Sequence, residues 1–420
     1  MLAPMHTPTR ALVAAALALL AVGNLPAQTL YAVGDLSGGI FWSQVRDATK
    51  NGATITAVGG SAANTGSPSG DTGFVWTSSG GITAIPHLQA NTTSNFFVTA
   101  SDITPNAAYI AARAFDTPAG DTRQAVRVTT SGLVLTDLGN PGGFTVNSSG
   151  LAISDDGSVL YGVSTNGAGK QQATRFEVGV GATAIAFATG GDISSFTTAR
   201  AVSSDGNFML GTSANNTAVA GSGARAFRYD HNGGSPSISL LPLLGGGTWS
   251  QGLAMNSAGT LMLAGGDSTG NANGDLYLVN DGNVIVAALG SANTSLGLNA
   301  FAAMSGDGSV VGITMSDIST SHSYLHNTNG WQDFYGVALA SGVNLTGWSD
   351  FNLGGISEDG TLVWGDGLHN GNTEGFVLEF AGGFLASAVA VPEPSTYAAF
   401  AGIGALGLAL LRRRRAHTAA

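Results

Sequence analysis

The chain of 420 residues contains 63 Gly and no Cys, and is 44% hydrophobic but only 10% charged. That composition excludes a disordered tail, a helical bundle, a disulfide framework and any thiolate metal site or Cys nucleophile. A net charge of −11 argues against a nucleic-acid partner, which would need clustered Lys and Arg.

Residues 1–27 place Arg10 before the apolar run Ala11 to Val22 and end in Leu25-Pro26-Ala27. A cation, a short apolar stretch and a small residue at the expected cut predict a secretory signal peptide. Residues 28–390 then form the body of the protein. Tyr31 to Gly39 resembles the strand ending at Thr136 to Gly143, so it is a candidate to complete the last repeat from the N-terminal side. Gly383 to Val389 competes for that place, and the residues alone do not choose between them.

One phrase recurs through the body. Ser154-Asp155-Asp156-Gly157, Ser203-Ser204-Asp205-Gly206, Ser305-Gly306-Asp307-Gly308 and Ser357-Glu358-Asp359-Gly360 each follow an apolar pair and precede an apolar run. Degenerate copies sit at Asn51-Gly52, Asn106-Ala107 and Ala258-Gly259. With Gly52, Ala107, Gly157, Gly206, Gly259, Gly308 and Gly360 as markers, the gaps are 55, 50, 49, 53, 49 and 52 residues, which makes seven copies at a period near 51. Asp-Gly between apolar runs predicts a two-residue hairpin turn, because Gly supplies the positive φ that such turns need. Copies two and five lack the acid-Gly pair and are expected to be irregular.

The run after each turn is apolar at consecutive positions, as in a strand covered on both faces. A polar loop follows, and then a third strand: Gly73 to Trp76, Ala125 to Val128, Ala173 to Phe176, Ala226 to Tyr229, Asp275 to Leu278, Ser323 to His326 and Gly375 to Leu378. The second and fourth residues share one face by strand alternation and are expected to pack on the next repeat. A Gly-rich turn leads to a fourth strand. The prediction is an all-β, seven-bladed β-propeller of four-stranded repeats, with a β-helix or sandwich array as the structural alternative.

Sites of chemistry are sparse. Gly266-Asp267-Ser268-Thr269-Gly270 has the spacing of a nucleophile elbow but lies in a polar loop with no helix to follow. His322 and His326 have helical metal-pair spacing, yet on a strand they stand about 13 Å apart, and His326 falls in the register of Trp76, Phe176 and Tyr229. Asp156, Asp205, Asp307 and Asp359 read as turn formers rather than calcium ligands, since a calcium loop alternates acids at several positions. No catalytic, cofactor-binding or metal residue is assigned. The loops Ser61 to Asp71, Ser213 to Gly223 and Gly266 to Gly274 offer Asn, Ser and Thr groups that suit a non-catalytic binding surface. The rival is a secreted carbohydrate hydrolase or lyase. It would gather two acids and an aromatic platform near the channel mouth, with Asp267, Asp275, Trp331 and Trp364 the first residues to inspect.

At the C-terminal end, residues 391–416 carry Pro392-Glu393-Pro394, the apolar segment Tyr397 to Leu411 and the cluster Arg412-Arg413-Arg414-Arg415. The apolar segment covers about 22 Å, a marginal bilayer span, and the four Arg hold the end in the cytoplasm by the positive-inside rule. Setting aside those four and Arg10 leaves ten cations against 26 acidic residues, a net −16 that keeps an exported chain soluble.

Pro-Glu-Pro, an apolar helix and a terminal Arg cluster in that order resemble the PEP-CTERM sorting signal of Gram-negative bacteria. The resemblance implies export, recognition by a membrane exosortase, transient anchoring through the C-terminal helix, and a place at the cell surface or in the extracellular matrix near exopolysaccharide or another envelope protein. The repeats resemble the extracellular HAF repeats, with Ala226-Phe227-Arg228-Tyr229 and Gly73-Phe74-Val75-Trp76 carrying the match best. That second resemblance implies fold and location, not an activity.

Overall fold

The computed structural model describes residues 28–63, 72–86, 98–115, 123–144, 147–185, 196–214, 223–231, 235–269, 271–293, 297–316 and 321–380. The expected signal peptide, the strand candidate Gly383 to Val389 and residues 391–416 lie outside them, as do most of Ser61 to Asp71 and Ser213 to Gly223. Among the described residues no helix is long and apolar enough to cross a membrane.

The architecture is an all-β propeller. Each repeat opens on an innermost strand: Ser43–Asn51, Val98–Ile103, Asn147–Ile153, Phe196–Val202, Ser250–Met255, Gly297–Met304 and Trp348–Ile356. Antiparallel neighbours then step outward in chain order. The expectation of seven separate blades needs correction. Five four-stranded sheets stand apart, and repeats two and three share one eight-stranded sheet. They join by a single parallel pairing of Asn147 with Arg123, where Asn147 Oδ1 accepts the Arg123 N–H at 2.9 Å. A short helix, α1 (Phe334–Ala340), was not anticipated; Asp333 caps it by accepting the Gly336 N–H at 2.8 Å.

The ring closes from the N-terminal side. Thr29–Ala32 pairs antiparallel with Asn372–Glu379, Thr29 opposite Glu379, as the outer strand of the last sheet. Repeat one packs on that sheet: Gln44 Nε2 donates to Asp366 Oδ1 at 2.9 Å, Gly375 N–H to Ser43 Oγ at 3.0 Å and Trp364 Nε1 to the Arg46 carbonyl at 3.0 Å. An open stack with capped ends is thereby ruled out.

The second strands are covered on both faces as expected; Thr54–Ser61 is buried from Ile55 to Ser61. The third strands bury their large residues, but against the preceding repeat rather than the next. Phe74 and Trp76 sit in one core with Leu362, Trp364 and Val377, while Phe227 and Tyr229 share another with Val159 and Tyr161. Strand alternation puts these residues on one face but leaves undetermined which neighbour that face meets. In repeat five the register is one residue later than read: Tyr277 and Val279 face repeat four, and Leu276 and Leu278 face repeat six.

Only Gly52-Ala53 forms the predicted two-residue turn, between the paired Asn51 and Thr54. The other six repeats use a longer one. In repeat three the Ser154 carbonyl accepts the Gly157 N–H at 2.8 Å, and Ser154 Oγ accepts the Val159 N–H at 3.1 Å. Asp156 Oδ1 accepts both Ser154 Oγ at 2.8 Å and the Ser158 N–H at 2.9 Å. The same bonds recur around Ser203, Ser305 and Ser357. Copies two and five, expected to be irregular, make the same turn. Thr104 and Asn106 supply the oxygens in one, with Ala107 at φ 56°, and Asn256 Oδ1 does both jobs in the other.

Candidate functional site

A bulge interrupts most innermost strands just before their turns: Arg46, Ser101, Leu151, Arg200, Leu253 and Gly354 are the extra residues. A bulge re-aims its side chain and leaves the ladder locally unpaired. Arg46, Ser101, Leu151, Arg200 and Leu253 line one axial cavity of about 310 Å³, walled elsewhere by Asp47, Asp102, Trp364 and, at the turn face, Asp155 and Glu358.

Asp47 and Asp102 occupy equivalent places on repeats one and two. Asp47 Oδ2 accepts the Ile103 N–H and Asp102 Oδ2 the Ile153 N–H, both at 2.8 Å, so each carboxyl staples its repeat to the next. The two side chains also hydrogen-bond to one another. Burial pushes both carboxyls up, Asp47 well above the ordinary range because the Asp102 charge adds to it. Two facing carboxyls of this kind hold a proton between them.

Arg46 and Arg200 are reached by solvent but ringed by protein, and burial lowers the pKa of both guanidinium groups. Arg46 feels the charge of Asp366, itself held by Gln44 Nε2 and by Asn352 Nδ2 at 2.9 Å each. The Arg200 guanidinium makes no hydrogen bond or ion pair with any described residue.

The residues singled out for the enzymatic rival do not come together. Asp267 accepts the N–H groups of Thr248 at 2.6 Å and Trp249 at 2.8 Å, which ties down the approach to the innermost strand of repeat five. Asp275 accepts Ser268 Oγ at 2.5 Å. Trp331 donates to the Leu289 carbonyl at 2.9 Å on an outer strand. Only Trp364 reaches the cavity.

The elbow-like Gly266 to Gly270 runs from one strand, Leu261–Ser268, to the next, Asn271–Asn280, without a helix. His322 and His326 both lie on Ser321–Asn327, where His326 packs edge-on against Trp331 with centroids 4.9 Å apart. No group of three or more His, Cys, Asp or Glu among the described residues is arranged to hold a metal ion. Hydrogen bonds in their turns hold Asp156, Asp205 and Asp359 below the ordinary carboxylate range against an upward push from burial; in Asp307 the Ser309 bonds dominate outright.

Reading from residues missed Arg46, Asp47, Asp102 and Arg200. A usable signal was present. Six residues before each marker the repeats carry Arg, Ser, Leu, Arg, Leu, Ala and Gly, and five before it Asp, Asp and then only Ala or Gly. Polar residues confined to some repeats at one structural position mark differentiation within an otherwise uniform ring.

Residues 390–415 match the PEP-CTERM protein-sorting motif, which implies export and exosortase sorting. No curated protein sequence is similar enough to count as a relative. In fold, the chain is similar to the β-propeller domain of the Trilobed protease from Pyrococcus furiosus, at 10% identity and a TM-score of 0.50 over 80% of this chain and 95% of that one. It is similar to a puromycin-hydrolysing peptidase of Mycobacterium tuberculosis, at 14% identity and 0.50 over 77% of this chain and 49% of that one. It is also similar to a prolyl endopeptidase, at 11% identity and 0.52 over 81% and 50%. The chain spans about half the length of those two peptidases. At such identities the likeness concerns the fold alone.

Proposed function

We propose that this is an exosortase-sorted, non-catalytic propeller of the cell surface or extracellular matrix that binds exopolysaccharide or an envelope protein. Export begins with cleavage of residues 1–27. The signal at 391–416, with Pro392, Glu393, Pro394 and Arg412 to Arg415 as its recognised residues, anchors the chain in the inner membrane until exosortase processes it.

The observation that carries this reading is the sorting motif at residues 390–415. The geometry of the ends supports it. Thr29 lies opposite Glu379, and Phe380 N–H donates to the Thr361 carbonyl at 2.8 Å within a turn, so both ends leave from the turn face. A chain tethered beyond residue 380 therefore presents its opposite, loop-bearing face away from the membrane.

One observation favours the enzymatic alternative, the carboxyl pair Asp47 and Asp102 in the axial cavity. Directly bonded carboxyls are closer than the spacing of about 5–9.5 Å that glycosidases use, and both here also bind main-chain N–H groups. A glycan array together with a reducing-sugar assay on the exported protein separates the readings. Binding without released sugar is expected, and turnover abolished by Asp102→Asn would overturn it. Replacing Arg412 to Arg415 with Ala should retain the chain unprocessed, read by fractionation.

A further inference from the structure

Between the two terminal signals the chain has ten cations. Several are spent on visible partners: Lys50 on Glu379, Arg175 on Glu177, Arg127 on Tyr109 and the Gly157 carbonyl, and Arg228 on Phe208. Arg46, Arg113 and Arg200 are different. None of their guanidinium groups makes a hydrogen bond or salt bridge with a described residue, although Arg46 feels Asp366.

Arg46 and Arg200 come from non-adjacent repeats and line the same cavity. Arg113 stands in the field of Arg46 and of Arg123, two like charges, and its Nε is buried without a partner. Burial, with those neighbours, brings its pKa down to about 10. An acidic protein that partly encloses guanidinium groups without a partner incurs desolvation, and at Arg113 repulsion from Arg46 and Arg123, that an anion would relieve.

The charges are also ordered along the axis. Asp155 and Glu358 lie at the turn-face mouth. The arginines lie deeper, Arg113 and Arg123 being near the ends of their strands on the loop face. Asp47 and Asp102 are engaged with each other and with main-chain N–H groups, which leaves the guanidinium groups of Arg46 and Arg200 as the donors without a partner among the described residues. Arg presents a planar fork that matches a carboxylate in two parallel bonds.

We propose that the channel binds a uronic acid unit of an acidic polysaccharide through its carboxylate at Arg46 and Arg200, with Arg113 adding attraction. The proposal rests on the polysaccharide-binding reading and names its ligand class. A cavity of about 310 Å³ is at the lower end of small-ligand sites, which suits a chain end rather than a long segment.

Titration calorimetry of the full-length chain with trigalacturonic acid and with its neutral methyl ester tests it. The acid should bind at least about tenfold more tightly than the ester. Arg200→Gln and Arg46→Gln should each weaken acid binding about tenfold or more, Arg200→Lys less, and Arg228→Gln not at all, with melting temperatures confirming that the variants fold. Equal binding of acid and ester, or binding indifferent to Arg200→Gln, overturns the channel assignment and leaves the polysaccharide reading standing. Binding of neither overturns the uronate assignment, and the glycan array then decides the polysaccharide reading by itself.

Discussion

The turns and the bulges of this propeller are six residues apart and behave in opposite ways. At the turns, residues that differ between repeats build one hydrogen-bond pattern: Ser154 with Asp156, Thr104 with Asn106, and Asn256 alone all satisfy the same N–H groups. At the bulges one backbone geometry displays different chemistry, from Arg46 and Arg200 to Leu151 and Gly354. Uniform geometry with divergent side chains locates function; divergent side chains with uniform bonding locate scaffold.

The greatest test of the scaffold is its closure. Removing Thr29–Ala32 exposes the edge of Asn372–Glu379 and the face that Leu30 and Tyr31 cover. A loss of at least about 3 kcal/mol is expected from that apolar area alone, with a lower melting temperature and proteolysis starting in the last repeat.

Next come the turn glycines. Gly308 has φ 71°, and a Cβ there would stand 2.2 Å from Leu261 Cδ2 of the preceding repeat, whereas Gly52, at φ 62°, faces open space. Gly308→Ala should cost about 2–3 kcal/mol and Gly52→Ala about 1 kcal/mol by denaturant unfolding, the difference measuring the packing between repeats.

The Asp47 and Asp102 pair and the Asp that bonds within its own turn should titrate in opposite senses. A carboxyl raised in the folded state binds its proton more readily there than in the unfolded chain. The pair Asp47 and Asp102 therefore adds stability as pH falls from its raised range toward the ordinary carboxylate value. Asp156, Asp205, Asp307 and Asp359 are held low, so their contribution is present above the ordinary value and is lost as pH falls through their folded-state pKa. Melting temperature against pH should accordingly rise and then fall on acidification. Asp47→Asn should flatten the first limb only, and an unchanged first limb would place the raised acid elsewhere.

The smallest expected effect is a gain. Ala107 holds φ 56° where the other repeats have Gly, so Ala107→Gly should stabilise by about 0.5–1 kcal/mol in the same unfolding measurement.

Much of the scaffold is legible in local residues. The period of the markers, the covered second strands and the role of Asp156 and its equivalents as turn formers follow from patterns within about ten residues. The turn was nevertheless longer than Asp-Gly suggests, because Ser154 Oγ substitutes for its own carbonyl and lets two more residues into the loop. Asp267 and Asp275 looked like site candidates only while their main-chain and Ser268 partners were unseen.

The residues alone determined that the body of this protein is a β-repeat array, because hairpin turns and strand alternation are short-range rules that each repeat states for itself. Tertiary structure decided the rest. It chose Thr29–Ala32 to close a ring across some 350 positions of sequence, turned the third strands toward the preceding repeat, and merged repeats two and three into one sheet. It also brought Arg46 and Arg200 to one cavity. The physical reason is common to all four: each depends on how twisted sheets pack around an axis, and no single repeat carries that information.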